Sequence, residues 1–175
     1  MKEQRMSTPM KIRTLAALLA LSLGLGACGG LQTRLPAGTA AADVTARLGK
    51  PAATYPDPDG GQWLEYRGQP MGQFQHMARI GADGRLISYT QVLTSENFAT
   101  VQVKRWNRED ILRHFGRPAE TGRVRLDDRE VWSYRYKEAG VWNSMMHVHF
   151  DRQGIVRQML NGPDPMYEPK DRMGW

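Results

Sequence analysis

The sequence of 175 residues contains one cysteine, Cys28, and no apolar run long enough to cross a membrane as a helix. A lone cysteine excludes a disulfide within the chain, so the fold must be stable without one. The apolar run at 15–25 falls short of the roughly 20 residues that a spanning helix needs. The sequence has no G-x-S-x-G motif, and its glycines fit turns and helix ends rather than a nucleotide-binding loop. These absences predict a protein that is not an enzyme and needs no cofactor.

Four basic residues precede this apolar run, which contains no acid and ends in Leu25-Gly26-Ala27-Cys28. A basic start, a short apolar core and small residues before a cleavage point are typical of an export signal. The ending resembles the lipobox of bacterial lipoproteins at all four positions. That resemblance implies cleavage before Cys28 and covalent lipid on this residue, which gives stable membrane anchoring. In this class an aspartate directly after the cysteine retains the protein in the inner membrane, and this chain has Gly29 there. The resemblance therefore implies transport to the outer membrane of a Gram-negative bacterium, with the fold facing the periplasm.

The formal net charge of the full sequence is +6. The predicted export signal carries +3 of this, so the remaining chain is only mildly basic, at about +3 (6 − 3). Because an exported protein does not meet nucleic acid, we expect an anionic membrane surface or an acidic protein face as the partner. No small-molecule substrate is expected.

A five-residue motif occurs twice, as Leu-Gly-Lys-Pro-Ala at 48–52 and Phe-Gly-Arg-Pro-Ala at 115–119. The second copy ends a predicted helix, in which Asn107 and Asp110 have the spacing of a capping box. Thr39 is the predicted cap of an equivalent first helix. Isolated helices need roughly 12–15 residues to be stable, and these have about eight, so each must pack on neighbouring structure.

Three strand-like segments follow each helix, and the stretches between them are rich in turn residues. The predicted strands are 63–67, 74–80, 86–93, 131–137, 142–150 and 155–160. Segment 95–101 is predicted as a short extra helix, while 55–61 and 120–129 are predicted loops.

These elements predict an α+β fold of two tandem repeats, each a short helix or helix pair packed on a three-stranded antiparallel meander. The predicted boundaries are a signal peptide at 1–27, a lipidated tether at 28–36, repeats at 37–93 and 94–160, and a flexible tail at 161–175.

Both copies resemble the SmpA/OmlA domain of BamE, a small lipoprotein of the outer-membrane β-barrel assembly machinery. In the first copy the resemblance rests on Gly38-Thr39, Val44, Leu48-Gly49-x-Pro51, Trp63, Tyr66 and Asp83-Gly84. In the second copy it rests on Ile111, Phe115-Gly116-x-Pro118, Trp132-x-Tyr134, Phe150-Asp151 and Gly154. The tandem arrangement also resembles the β-lactamase inhibitor protein. BamE has one copy of the unit, so its partner contacts cannot be carried over by position, and the inhibitor is disulfide-stapled and not lipidated.

Alternating aromatic residues on the predicted strands have two interpretations. If a helix covers their face of the sheet, they are core; if the face is open, they form a protein-binding surface of the type rich in Trp, Tyr and Arg. The candidate partner-binding residues are Trp63, Tyr66, Trp132, Tyr134, Tyr136 and Trp142.

Two polar patterns are too sparse to predict a metal site. His147 and His149 point to one face of a strand but have no third ligand at zinc spacing. Asp57 and Asp59 lie in a turn without the further acids of an EF-hand.

The sequence therefore predicts an outer-membrane lipoprotein that acts as a protein-interaction module in envelope maintenance or outer-membrane β-barrel protein assembly. Its lipids would confine the fold to the membrane surface and raise its effective concentration for partners there. The alternative is an inhibitor or binding protein for a periplasmic enzyme, like the tandem β-lactamase inhibitor protein.

Overall fold

The computed structural model describes residues 35–125 and 128–168, which form two groups of strands with short helices before and between them. The elements are α1 (Ala41–Leu48), β1 (Ala53–Pro56), β2 (Gln62–Arg67), β3 (Gln75–Ile80), β4 (Leu86–Gln91), α2 (Ser95–Ala99), α3 (Arg108–Phe115), β5 (Glu120–Val124), β6 (Arg129–Glu138), β7 (Trp142–Phe150) and β8 (Val156–Pro163). Among the described residues, no helix has the length and apolar character needed to cross a membrane.

The strands form two four-stranded antiparallel sheets, so the predicted α+β class of helix-covered, three-stranded repeats is wrong. The first sheet has the order β1-β2-β3-β4 and the second has the order β5-β6-β7-β8. Strands account for 44% of the structure and helices for 16%. The helices are too few to cover each meander with a layer of its own, and α3 contacts β1 and β3 of the first sheet. Its sequence position predicted packing on the strands that follow it, and Phe115 of α3 does also lie 6.1 Å from Tyr134 of β6.

The first strand of each sheet was missed because neither has a strand-like pattern. β1 ends at Pro56, while β5 contains Gly122 and is exposed along its whole length. Both are edge strands, which are paired on one side only and therefore tolerate residues that weaken a central strand. The segments predicted as loops at 55–61 and 120–129 thus begin with strand pairing.

The helices α1 and α3 begin differently. α3 has the predicted capping box, in which Asn107 Oδ1 accepts from Asp110 N at 3.0 Å and Asp110 Oδ2 accepts from Asn107 N at 3.0 Å. α1 has Ala40 as its N-cap and no side-chain cap. The prediction that Thr39 caps α1 is wrong, because its hydroxyl donates to Pro36 O within the preceding turn.

Helices α2 and α3 lie between the sheets and form the main core with them. Phe98 of α2 stacks on Phe115 of α3 with ring centroids 4.8 Å apart. Tyr134 of β6 lies 6.1 Å from each of these rings. Met77 of β3 joins the same cluster from the first sheet. Both sheets therefore contribute their inner faces to one apolar core.

Helix α1 packs on the outer face of the first sheet. Val44 is fully buried there against Leu64, Ala78 and Ile80. An eight-residue helix is about 12 Å long, whereas a six-residue strand is about 20 Å long. The helix therefore covers only part of this outer face.

The residues at 115–118, called the α3 turn below, are bound by buried polar side chains of the first sheet. Gln75 Nε2 donates to Phe115 O, and Glu65 Oε2 accepts from Arg117 N at 3.2 Å. Gln75 and Glu65 are both fully buried. The carbonyls at a helix end have no partner within the helix, so here a side chain supplies one.

The second sheet binds the same turn from the other side. The buried Tyr134 hydroxyl donates to Gly116 O at 2.9 Å. At the rim of the turn, Arg67 Nη2 of the first sheet donates to Pro118 O at 2.9 Å. A neutral bond such as that of Tyr134 contributes on the order of 1 kcal/mol, and leaving a buried partner unsatisfied costs more. The α3 turn therefore joins the two sheets by polar contacts as well as by packing.

Residues 161–168 also differ from the flexible tail predicted at 161–175. β8 extends to Pro163, and Asp164 is fully buried in an ion pair with Arg135 of β6. This pair fixes the end of β8 to the second sheet. Residues 169–175 lie outside the described residues.

Gly116 and Gly49 follow α3 and α1 at matching positions, and both have positive φ, +69° and +83°. A Cβ on Gly116 would lie 2.1 Å from Gln75 Nε2, whose buried side chain cannot move without losing its hydrogen bonds. A Cβ on Gly49 would meet nothing within 4 Å. We expect Gly49→Ala to lower the free energy of unfolding by about 1–3 kcal/mol from φ strain, and Gly116→Ala by about 1–3 kcal/mol more because overpacking is added.

Urea unfolding of the two variants measures this difference. Equal losses in both would contradict the close approach of the first sheet to the α3 turn.

Candidate binding surface

Three of the six candidate partner-binding residues are core residues, which was one of the two interpretations of the aromatic pattern. Tyr134 and Tyr136 are at most 1% exposed, and Trp132 is 7% exposed. Trp132 packs edge-on against Phe150 with ring centroids 4.7 Å apart. These rings stabilise the interior and are closed to a partner in this structure.

Trp63 is half-buried on the inner face of the first sheet. Its ring lies 5.8 Å from the His114 imidazole and 5.3 Å from the guanidinium carbon of Arg79. Arg79 is held in place by ion pairs with Asp57 at 2.6 Å and Asp59 at 2.7 Å. The two acids of this turn therefore neutralise a cation that stacks on Trp63.

Trp142 is exposed at the tip of the β6–β7 hairpin. It is 68% exposed, and the adjacent Val141 is 66% exposed. Beside them, Lys137 Nζ donates to Asn143 Oδ1 at 2.7 Å. The hairpin tip thus presents two apolar side chains next to a cation.

Tyr66 lies on the outer face of the first sheet, among rings that the sequence analysis did not select. Tyr89 of β4 meets Tyr66 edge-on at 6.0 Å and stacks on His76 of β3 at 5.1 Å. Phe74 lies 5.9 Å from His76 and is 48% exposed. These four rings line a groove of about 400 Å³, called the aromatic groove below.

Two cations flank the aromatic groove. Lys50 follows α1, Arg67 ends β2, and both side chains line the groove. In the described ranges, neither has a carboxylate within ion-pair distance. The groove therefore carries positive charge that no described acid neutralises.

The 68–74 loop holds one wall of the groove in place. A Cβ on Gly68 would lie 2.6 Å from two ring carbons of Phe74, so the ring packs directly on the loop backbone. In the same loop, Gln69 Nε2 donates to Arg135 O at 2.8 Å, and Gln69 Oε1 accepts from Arg135 N at 3.2 Å. The second sheet thus fixes the loop that seats Phe74.

Burial sets the protonation of the rings in the aromatic groove. It raises the pKa of Tyr66 and of Tyr89 and lowers the pKa of His76. At neutral pH the tyrosines therefore keep their hydroxyl protons and His76 is uncharged. Within the described part of the chain, the buried Tyr66 hydroxyl has no hydrogen-bond partner.

His147 and His149 lie on β7, where burial lowers the pKa of both. Ser133 Oγ lies 2.8 Å from His147 Nδ1. A catalytic serine needs a base that is oriented by an acid, but Glu120, opposite Ser133, pairs with Arg135. No group of three His, Cys, Asp or Glu side chains that could hold a metal ion occurs in residues 35–125 and 128–168.

Cys28 and the predicted signal peptide lie outside the described residues. The residues that sequence reasoning missed are Phe74, His76 and Tyr89. Their common face follows from the register, in which Tyr66 lies opposite His76, and Tyr89 opposite Ala78 two residues along β3. Alternation along single strands indicates which residues share a face of that strand, but not which strands are neighbours.

Comparisons with known proteins give a distant structural match. No known protein family and no curated protein matches the sequence. Among solved structures, the chain is similar to a DUF4309 family protein (YjgB) from Bacillus subtilis, with 14% sequence identity and a TM-score of 0.31. The match covers 70% of this chain and 77% of that chain. A likeness this distant carries no argument about function, so the resemblance to the SmpA/OmlA family stays a prediction.

The ion pair of Asp57 predicts a pH-dependent stability. The hydrogen-bonded Arg79 guanidinium holds the pKa of this buried carboxyl below its ordinary value of 3.8. A carboxyl with a lower pKa in the folded chain stabilises the fold above its unfolded pKa, and this contribution is lost as the pH falls through the folded pKa. We expect Asp57→Asn to lower the free energy of unfolding by about 2 kcal/mol at pH 7, with a smaller difference from wild type below about pH 4.

Asp59→Asn is the matched control, because Asp59 binds the same arginine but its side chain is 81% exposed. We expect a change below about 1 kcal/mol there. Chemical unfolding across the acidic pH range measures both variants. A loss in Asp57→Asn that stayed constant down to about pH 3 would contradict the role given to the carboxylate charge.

Proposed function

We propose that this chain is a lipid-anchored outer-membrane protein that faces the periplasm and acts as a protein-interaction module. Its role would be in envelope maintenance or in the assembly of outer-membrane β-barrel proteins. It acts by binding a partner rather than by catalysis, and it uses neither a cofactor nor a small-molecule substrate.

The order of residues around Cys28 carries this proposal. A basic start, an apolar run too short to span a bilayer, and Leu25-Gly26-Ala27-Cys28 occur in sequence. The cysteine is the only one in the chain, so it has no second cysteine of the same chain to pair with. Lipid on Cys28 would hold the fold near the membrane, where a binding surface of modest affinity gains from high effective concentration.

The surfaces of the folded part fit a binding role. The aromatic groove combines four rings with Lys50 and Arg67, and the hairpin tip presents Trp142 and Val141 to solvent. Aromatic residues and arginine are the residue types enriched where proteins bind each other. The Ser133–His147 pair is a contact across β6 and β7, and its neighbouring acid is engaged elsewhere.

The hairpin tip favours a second candidate function, inhibition of a periplasmic enzyme. Trp142 is exposed at the end of the β6–β7 hairpin, where an apolar side chain can enter the cleft of a partner. A photo-cross-linking residue at position 142 separates the candidates in living cells. Cross-links to one soluble enzyme favour inhibition, whereas cross-links to membrane-bound assembly subunits favour the first function.

We expect wild-type protein to incorporate labelled palmitate and to fractionate with the outer membrane. Cys28→Ala removes the acceptor sulfur, so it should lose the label and the processed form. Gly29→Asp keeps the acceptor and is the matched control, which should keep the label but move to the inner-membrane fraction.

Gel electrophoresis, autoradiography and density-gradient fractionation measure these outcomes. Palmitate label or unchanged membrane association in Cys28→Ala would overturn the proposed anchor.

A further inference from the structure

The outer face of the first sheet is only partly covered by the described chain. Leu64, Ala78 and Ile80 are buried beneath α1, which ends at Leu48. Past this end the face continues as the aromatic groove, with Phe74 48% exposed at its margin. An apolar surface left open beside a closed one is a site where a partner gains free energy by excluding water.

The groove combines two features that together select a ligand. Its rings contact one another with centroids 5.1–6.0 Å apart, so they present one apolar surface on which an aromatic or aliphatic side chain can pack. Its rim carries the charges of Lys50 and of Arg67, which also donates to Pro118 O, and neither has a described acidic partner.

The setting of the groove favours an extended peptide over a small molecule. Tyr89 lies on β4, which is the edge strand of the first sheet. Residues 38–40 bond to this edge at Leu86, and no described strand pairs along the rest of it. An extended segment can add to such an edge and place alternate side chains over the sheet face. The volume of about 400 Å³ lies at the small end of binding pockets, enough for one large side chain and its neighbours.

We propose that the aromatic groove binds an extended acidic segment of a partner protein, with one aromatic side chain packed over the rings of Tyr66, His76 and Tyr89. Carboxylates of the segment lie near the charges of Lys50 and Arg67. This inference rests on the proposed function and names the surface and partner chemistry through which it operates.

The test uses the full chain with its lipid, purified in detergent, and a fluorescein-labelled peptide of sequence Asp-Glu-Phe-Asp-Glu with a blocked C-terminus. Fluorescence anisotropy measures its affinity. Two control peptides separate the contributions of the aromatic ring and of the carboxylates to the affinity. Asp-Glu-Ala-Asp-Glu lacks the ring, and Lys-Lys-Phe-Lys-Lys lacks the acids. We expect about tenfold weaker binding without the ring, and no saturable binding of the basic peptide.

Three variants locate the site. Lys50→Glu should weaken binding of the acidic peptide by about threefold or more, because a rim attraction becomes a repulsion. Tyr66→Phe should bind like wild type while the free energy of unfolding stays the same or rises, since it removes an unpaired hydroxyl that lies beneath the groove surface. Lys104→Glu is the matched control, an exposed lysine that lines a separate basic cavity beside Arg152 and Arg157, and it should bind like wild type.

Several results would overturn the proposal. One is equal affinity for the phenylalanine and alanine peptides, and another is a loss of binding in Lys104→Glu but not in Lys50→Glu. A third is displacement of the peptide from wild type by vesicles of phosphatidylcholine and phosphatidylserine, which would make the groove a lipid site. Failure here is distinguishable from failure of the proposed function, because anchoring is read from Cys28→Ala and does not involve the groove.

Discussion

The hydrogen bonds of the α3 turn hold the two sheets together around the end of one short helix. An eight-residue helix ends between two sheets, and its last carbonyl groups would be buried without partners there. Gln75 from the first sheet and Tyr134 from the second supply those partners. Glu65 binds the following amide of Arg117, and its carboxylate also accepts from the Tyr55 hydroxyl at 2.5 Å. Each of these bonds ties one atom of the turn to one strand, so the two sheets can pack in few other arrangements.

This constraint explains where a binding surface is left. Because α3 is used between the sheets, the outer face of the first sheet has only α1 to cover it, and α1 is too short. The second sheet also helps to position the aromatic groove. The backbone of Arg135 binds the Gln69 side chain in the loop on which Phe74 packs. The aromatic groove is therefore built by one sheet and positioned by the other. The Asp164–Arg135 ion pair fixes the same strand from the opposite end of the chain.

Local features of the fold were predictable from the sequence, whereas features that join distant segments were not. The α3 capping box and six of the eight strands follow from spacing and alternation within short segments. The edge strands β1 and β5 lack alternation, and Pro56 and Gly122 argued against them. The packing of α3 on the first sheet depends on Glu65 and Gln75, two polar residues that no pattern marks as buried. The aromatic groove depends on the register of β2, β3 and β4, which single-strand patterns do not give. Of its rings, only Tyr66 was therefore predicted as a partner-binding residue.

If the α3 turn makes the two sheets one cooperative unit, native-state hydrogen exchange of the full chain will show it. The slowest amides of β3 and β7 then exchange through the same opening, with free energies that agree within about 1 kcal/mol and equal urea dependence. Independent sheets would give β3 amides that open several kcal/mol more easily while the β7 amides stay protected.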